Sequence, residues 1–211
     1  MRISQSEILH FSRLAKERQP GVNYNYYYLV TSLPTLSPDT PPPIRREDFL
    51  TLCKGHVKRS DFDTLKSIQL VVSKQKEIPS GVLGAFLNFE RGLKNALARL
   101  RSQRLGVEIQ NFISRETPDH EQRLIAEEAF HAPSPLKGEE ILNKARWRYL
   151  DELEFGHYFD RHRLFIFFIK LLILERVALF DPERGMRTLR SILNLEQVKT
   201  HYFNVFNYNE K

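Results

Sequence analysis

Apolar residues recur along this chain at several different spacings, and each spacing predicts a different kind of segment. Between Phe159 and Phe180 they keep to no single face. At about 100° per residue, Leu164 to Phe168 and Leu171 to Leu174 cover the whole circumference of a helix, which marks either a membrane span or the centre of a core. Lys170, Glu175 and Arg176 interrupt the stretch, and its longest uncharged run is six residues. A span needs about 20 mostly apolar residues. A buried central helix over 160–180 is therefore expected, with the other segments packed around it.

From Gly81 to Leu105 the spacing is regular. Val82, Phe86, Phe89, Leu93, Ala96 and Leu100 alternate by four and three, a seam of about three heptads. Such a seam takes one helical partner, either the central helix of the same chain or another protein. Shorter helices are predicted over Arg45 to Lys54, with Phe49, Leu50 and Leu52, and from Ser60. There Asp63 completes an apparent capping box, and Phe62, Leu65, Ile68 and Val72 form the inner face.

Three Ser/Thr/Asp-Pro pairs, Thr117-Pro118, Ser134-Pro135 and Asp181-Pro182, read as helix starts with a capping side chain and proline in the first turn. They predict helices to about Phe130, to about Gly156, and one after the central helix. The last of these has Met186, Leu189, Ile192 and Leu193 as its inner stripe. Tyr24 to Leu33 is ambiguous: its four tyrosines and Val30 favour a strand, whereas Tyr24, Tyr27, Tyr28 and Thr31 also fall at helical spacing. Pro34 to Pro43 holds five of the eleven prolines and reads as an extended connector. The expected fold is all-α, a compact multi-helix domain over 23–208 preceded by an N-terminal extension, 1–22.

With 211 residues, such a chain can bury roughly 70% of the surface its unfolded form exposes without a disulfide or metal staple. Cys53 is the only cysteine, which excludes an internal disulfide and multi-cysteine zinc sites and fits a reducing cytoplasm. The N-terminal MRISQSEILHFSRLAKER lacks a continuous apolar core, so no secretory signal is expected there. The net charge of +6 implies an anionic partner: nucleic acid, an anionic membrane surface or an acidic protein face. Arg91, Lys94, Arg99 and Arg101 lie off the heptad seam and are the candidate partner-binding residues. Basic side chains near a helix C-terminus also complement the helix dipole, by about 0.3 to 1 kcal/mol each.

Catalytic and metal chemistry find little support. Glu128-Ala-Phe-His131 and Glu154-Phe-Gly-His157 both have the E-x-x-H form of di-iron bundles, but the 22 residues between His131 and Glu154 leave no room for the additional glutamate-bearing helix. His157, Asp160 and His162 are offset by three and five, which would place them on different faces of one helix, as a surface pH-sensitive cluster or as satisfied, partly exposed histidines. Cys53 and His56 could pair as nucleophile and base, yet no orienting third group is implied, and the neighbouring lysines predict a surface loop. Gly81-Val-Leu-Gly84 lacks the Lys-Ser/Thr of a phosphate loop. No catalytic, cofactor-binding or metal residue is therefore assigned. For nucleic acid, the tyrosines and the Arg91 to Arg104 cluster are far apart in sequence and form no known readout motif.

Asn25-Tyr26-Tyr27-Tyr28-Leu29-Val30 followed by Ser32-Leu33-Pro34 resembles the N-Y-Y-x-L-V-x-x-L-P opening of an uncharacterised bacterial family. Its members are typically encoded among the subunits of V/A-type ATP synthases. The block LLILERVALFDPERG, Leu171 to Gly185, also resembles that family. The resemblance implies a non-catalytic assembly or coupling subunit of a proton or sodium V/A-type ATP synthase. In particular it points to the position of the central-stalk coupler, the wholly helical socket that links rotor shaft and membrane ring. It implies other ATPase subunits as partners, no cofactor, and a cytoplasmic location, peripheral on the inner face of the membrane. Against that coupler this chain is short and shows no threefold repeat. A basic helical protein that binds nucleic acid nonspecifically is the alternative expectation, and a metal-binding enzyme a further one.

Overall fold

Eleven consecutive side chains, Leu164 to Leu174, are buried, and the fold of the first part of the chain consists of the segments that cover them. The computed structural model describes residues 26–70, 80–108, 117–180 and 182–192. Among these are eight helices and no strand: α1 (Tyr26–Thr31), α2 (Arg46–Cys53), α3 (Arg59–Ser67), α4 (Val82–Leu105), α5 (His120–Phe130), α6 (Pro135–Glu154), α7 (Arg161–Ala178) and α8 (Pro182–Ile192). The all-α expectation holds. The predicted extension 1–22 lies outside the described residues. The chain divides into two compact units, Met1–Glu175 and Arg176–Lys211.

In the first unit α7 is the buried central helix. Leu29 of α1, Phe49 and Cys53 of α2, Leu65 of α3, the first turns of α4 through Val82, Leu83, Phe86 and Leu87, and Leu150 of α6 all join its core. Phe49 stacks on both Phe167 and Phe168, with centroids 5.2 and 5.3 Å apart. The Glu175 carboxylate accepts the Arg46 N–H at 2.7 Å, filling one of the orphan donors at the start of α2. The described part of the ambiguous tyrosine segment is helical over Tyr26–Thr31: with no strand to pair with among the described residues, its β-propensity has no outlet. Tyr26 fastens it by donating to Asp61 Oδ2 at 2.5 Å and accepting from the Lys58 N–H at 3.2 Å. Residues 34–43 are irregular, as the prolines require.

A second apolar cluster joins the later turns of α4 to α5 and α6 through Phe89, Leu93, Ala96, Leu97, Ile125, Ala126, Leu142 and Ala145. The heptad seam therefore has no single partner: Val82 and Phe86 face the α7 core, while Phe89, Leu93 and Ala96 face α5 and α6. Two glycines set the close approach of these helices. A Cβ on Gly92 would lie 1.8 Å from Gln122 Oε1, and one on Gly138 would lie 2.7 Å from the Ala129 carbonyl oxygen. Between the clusters Glu90 and Arg146 form a buried ion pair at 2.5 Å, and Arg146 also reaches Glu139 and Asn143.

Two predicted helix starts differ from the observed ones. Thr117-Pro118 does not open α5; Asp119 does. Its side chain accepts the Gln122 N–H at 2.7 Å while Gln122 Oε1 accepts the Asp119 N–H, a reciprocal capping box that outcompetes the threonine. Ser60 is not the cap of α3 either, because the helix already starts at Arg59 with Lys58 at the capping position and no side-chain cap. Ser134-Pro135 is as expected, with the Lys137 N–H donating to Ser134 Oγ at 3.2 Å. α8 starts at Pro182, but Asp181 lies outside the described residues. In the second unit Met186 and Leu189, expected as an inner stripe, are 51% and 47% exposed. An apolar stripe reports amphipathicity and not a covering surface.

Because the atom facing Gly138 is a backbone carbonyl, Gly138→Ala should force α5 and α6 apart and lower stability by about 1–3 kcal/mol in denaturant unfolding, despite the higher helix propensity of alanine. Unchanged stability would mean that the two helices are not packed this closely.

Candidate functional site

α4 is buried beyond its heptad seam, since Leu83, Leu87, Glu90, Asn95 and Leu97 are covered as well. That confines its basic side chains to the remaining face. Lys94, Arg99 and Arg101 are exposed and Arg91 is half-buried. At about 100° per residue the four span about 160° of the helix, with Lys94 and Arg101 together at one edge, Arg99 at the other and Arg91 midway between. They form a broad basic face and not a single point of charge.

One edge of that face borders a groove of about 500 Å³ where the end of α4 meets the turn between α5 and α6. Leu97, Phe130 and Pro133 give it apolar walls; Arg101, Arg104 and the α6 cap Ser134 give it a polar rim. The Arg104 guanidinium lies 5.7 Å from the Phe130 ring centroid, a cation–π contact that orients it along the groove. Arg104 was legible in the sequence only as one more charge near a helix end; its place on this rim depends on the α5–α6 turn.

At the junction of α6 and α7, Lys170 is buried on the central helix. Its ammonium donates to Asp151 Oδ1 at 2.6 Å and Glu154 Oε2 at 2.5 Å, and lies 5.5 Å from the Trp147 ring. Burial pushes its pKa down while Asp151 opposes the shift. Glu154 also pairs with Arg163, so this E-x-x-H glutamate is engaged in neutralising cations of α7. His131, the histidine of the other E-x-x-H, ends α5 with Nδ1 2.9 Å from the Glu127 carbonyl oxygen.

His157, Asp160 and His162 are brought together, contrary to the expectation from helical offsets. His157 lies in the turn after α6 and not on a helix shared with the other two. Asp160 precedes α7 and its Oδ1 accepts the Arg163 N–H at 3.0 Å. Asp160 Oδ2 lies 2.6 Å from His157 Nδ1 and 3.3 Å from His162 Nδ1, and the two rings are 4.5 Å apart. Burial works to raise the Asp160 pKa, but the Arg163 N–H and the two imidazoles together hold it below the usual value.

Cys53 is not in a surface loop. It is fully buried in the α7 core, while His56 is half-buried beyond the end of α2. Burial pushes the thiol pKa up to about 12, the opposite of what an activated nucleophile requires.

A thiol pKa raised from 9.0 to about 12 means that the folded state holds its proton more tightly than the unfolded state. The associated stability is fully present below about pH 9 and declines as pH rises toward 12, by roughly 1.4 kcal/mol per pH unit. Tyr26, raised to about 12 by burial and then by its bond to Asp61, acts in the same direction at the upper end. Cys53→Ala should therefore show a shallower alkaline loss of stability than wild type, and the native thiol should resist a disulfide reagent until the protein unfolds. Rapid labelling of the folded protein would contradict this placement of Cys53.

No curated protein and no solved structure matches the chain. A family match covers α6, α7 and α8 and includes the Leu171–Gly185 block. Residues 128–199 match the family described as "Protein of unknown function (DUF2764)".

Proposed function

We propose that the chain is a non-catalytic assembly subunit of a V/A-type proton or sodium ATPase, acting at the cytoplasmic face of the membrane and occupying the position of the central-stalk coupler. What supports this reading is the resemblance of the Asn25 to Pro34 opening and of the Leu171–Gly185 block; the family match over 128–199 contains the second of these and itself names no function. Three structural features support it. The fold is built of helices, no helix among the described residues is long and apolar enough to cross a membrane, and α4 presents a basic face bordered by an apolar groove. The cysteine is buried and the E-x-x-H glutamate Glu154 is neutralised by cations, which favours a docking role over catalysis by those groups.

In this reading Lys94, Arg101 and Arg104 meet an acidic face on another ATPase subunit. Charges at the edge of an interface act mainly on association rate and are screened over about 8 Å at physiological salt. Charge reversal of exposed residues leaves the fold largely untouched, since such substitutions change stability by no more than about 0.5 kcal/mol.

Tagged protein co-expressed with V/A-type ATPase subunits should recover them at low salt and less well at moderate salt. The Lys94→Glu, Arg101→Glu variant should melt like wild type but lose most of that recovery. Failure of wild type to recover any ATPase subunit at low salt would contradict the proposal. Retention of nucleic acid instead, with log affinity falling linearly against log salt, would favour the nonspecific nucleic-acid reading.

A further inference from the structure

We propose that His157, Asp160 and His162 form a binding site for a divalent transition-metal ion, with Zn²⁺ the best-matched probe. The site is independent of the assembly role. Six consecutive residues, His157-Tyr-Phe-Asp160-Arg-His162, make the turn from α6 into α7 and bring three potential ligand atoms within 4.8 Å of one another. Among the described residues this is where three such groups converge. Two imidazole nitrogens and one carboxylate oxygen are a borderline donor set, suited to zinc and its neighbours and poorly suited to magnesium, which favours oxygen in near-octahedral geometry.

The distances are near those that coordination needs. Zinc bonds of about 2.0–2.2 Å place tetrahedral ligand atoms about 3.4 Å apart. His162 Nδ1 and Asp160 Oδ2 are already 3.3 Å apart, the 2.6 Å separation of His157 Nδ1 from Oδ2 has to widen, and all three ligand atoms lie within 4.8 Å of one another, so small side-chain rotations suffice. A carboxylate accepts and does not donate, so both Nδ1 atoms point protons at Oδ2 when no ion is present. An ion at that centre takes the place of the two bridging protons, and each neutral ring carries its proton on Nε2. With three protein ligands, water or a partner side chain completes the shell.

Two features hold the ligands in position. Asp160 is fixed through Oδ1 by the Arg163 N–H at the start of α7, leaving Oδ2 for the ion. The His162 ring lies against Gly81, which has φ +79°; a Cβ there would come 3.1 Å from Nε2. That left-handed conformation, accessible to glycine at little cost, lets the start of α4 close over the ring. The nearby arginines are engaged elsewhere: Arg163 pairs with Glu154, and Arg161 lies 3.8 Å from Asp61. The His157, Asp160 and His162 side chains are 31%, 44% and 22% exposed, so the centre is accessible from solvent.

The test is calorimetric titration of the full chain with Zn²⁺, with Mg²⁺ as the contrasting probe, alongside thermal melting with and without Zn²⁺. One Zn²⁺ per chain is expected, with no saturable Mg²⁺ binding. Zn²⁺ should raise the melting midpoint, because a ligand that binds only the folded state stabilises it by mass action. His157→Ala and His162→Ala should each weaken Zn²⁺ binding at least tenfold, about the least that loss of even an outer partner of a metal site costs. Both should lose the melting shift, while His131→Ala should keep it. Asp160→Asn retains an oxygen to cap α7, so it should fold and still bind Zn²⁺ at least about tenfold more weakly. No saturable Zn²⁺ binding to wild type, or undiminished binding in folded Asp160→Asn and His157→Ala, would overturn the proposal. So would Mg²⁺ binding as tight as that of Zn²⁺.

Discussion

A helix apolar around its whole circumference has to be covered from every side, and that requirement organises the first unit. Leu164 to Leu174 leave no face for water, so three sets of segments close on them: α1 to α3, the first turns of α4, and the last turns of α6. Fully burying one Leu, Ile or Phe side chain contributes roughly 1.5–3 kcal/mol. The lone charge in the stretch is subject to the same requirement. Lys170 is largely withdrawn from water, and α6 supplies Asp151 and Glu154 to neutralise it, which also constrains the rotation of α6 about α7. Because Asp151 and Glu154 themselves remain partly exposed, solvent screens the attraction, and this contact is a constraint on register more than a source of net stability.

What α7 does not use, α4 passes on to the candidate surfaces. Its first turns enter the α7 core, and its later turns pack against α5 and α6 with glycines at the contact points. With so much of its circumference covered, its arginines and lysine are left on one broad face. The same packing places Arg104 over Phe130 and opens the groove at the α5–α6 turn. At the other end of α4, Gly81 closes against His162 and helps to hold the His157–Asp160–His162 turn. Both candidate sites thus sit at ends of α4, where helix packing stops and side chains become available.

The helices were legible where a single physical cause acted alone. A stretch apolar around its circumference but interrupted by too many charges for a membrane marked the central helix, and Ser134-Pro135 marked the start of α6. Misreadings arose where two local causes competed. Thr117 and Asp119 could each cap α5, and only the reciprocal bond with Gln122 decides for Asp119. The tyrosines of α1 carry strand propensity, but a strand needs a partner that this chain does not offer among the described residues. The lysines near Cys53 implied an exposed loop, whereas one helical turn suffices to carry a buried side chain away from its charged neighbours. An offset of three leaves His157 and Asp160 neighbours even on a helix; the offset of five separates His157 from His162 only if one continuous helix carries both. The turn after α6 breaks that continuity, and no periodicity in the sequence encodes it. The basic residues were legible as charge, but their distribution around α4 required knowing which faces the other helices cover.

A fold organised in this way makes α7 its most protected element. Amide hydrogen exchange followed along the chain tests this directly, because amides that open only on global unfolding exchange slowest. Leu164 to Leu174 should form the slowest-exchanging segment, with α2 and the first turns of α4 next and the exposed second-unit helix α8 far faster. Exchange in Leu164 to Leu174 as fast as in α8 would contradict a fold built around this helix.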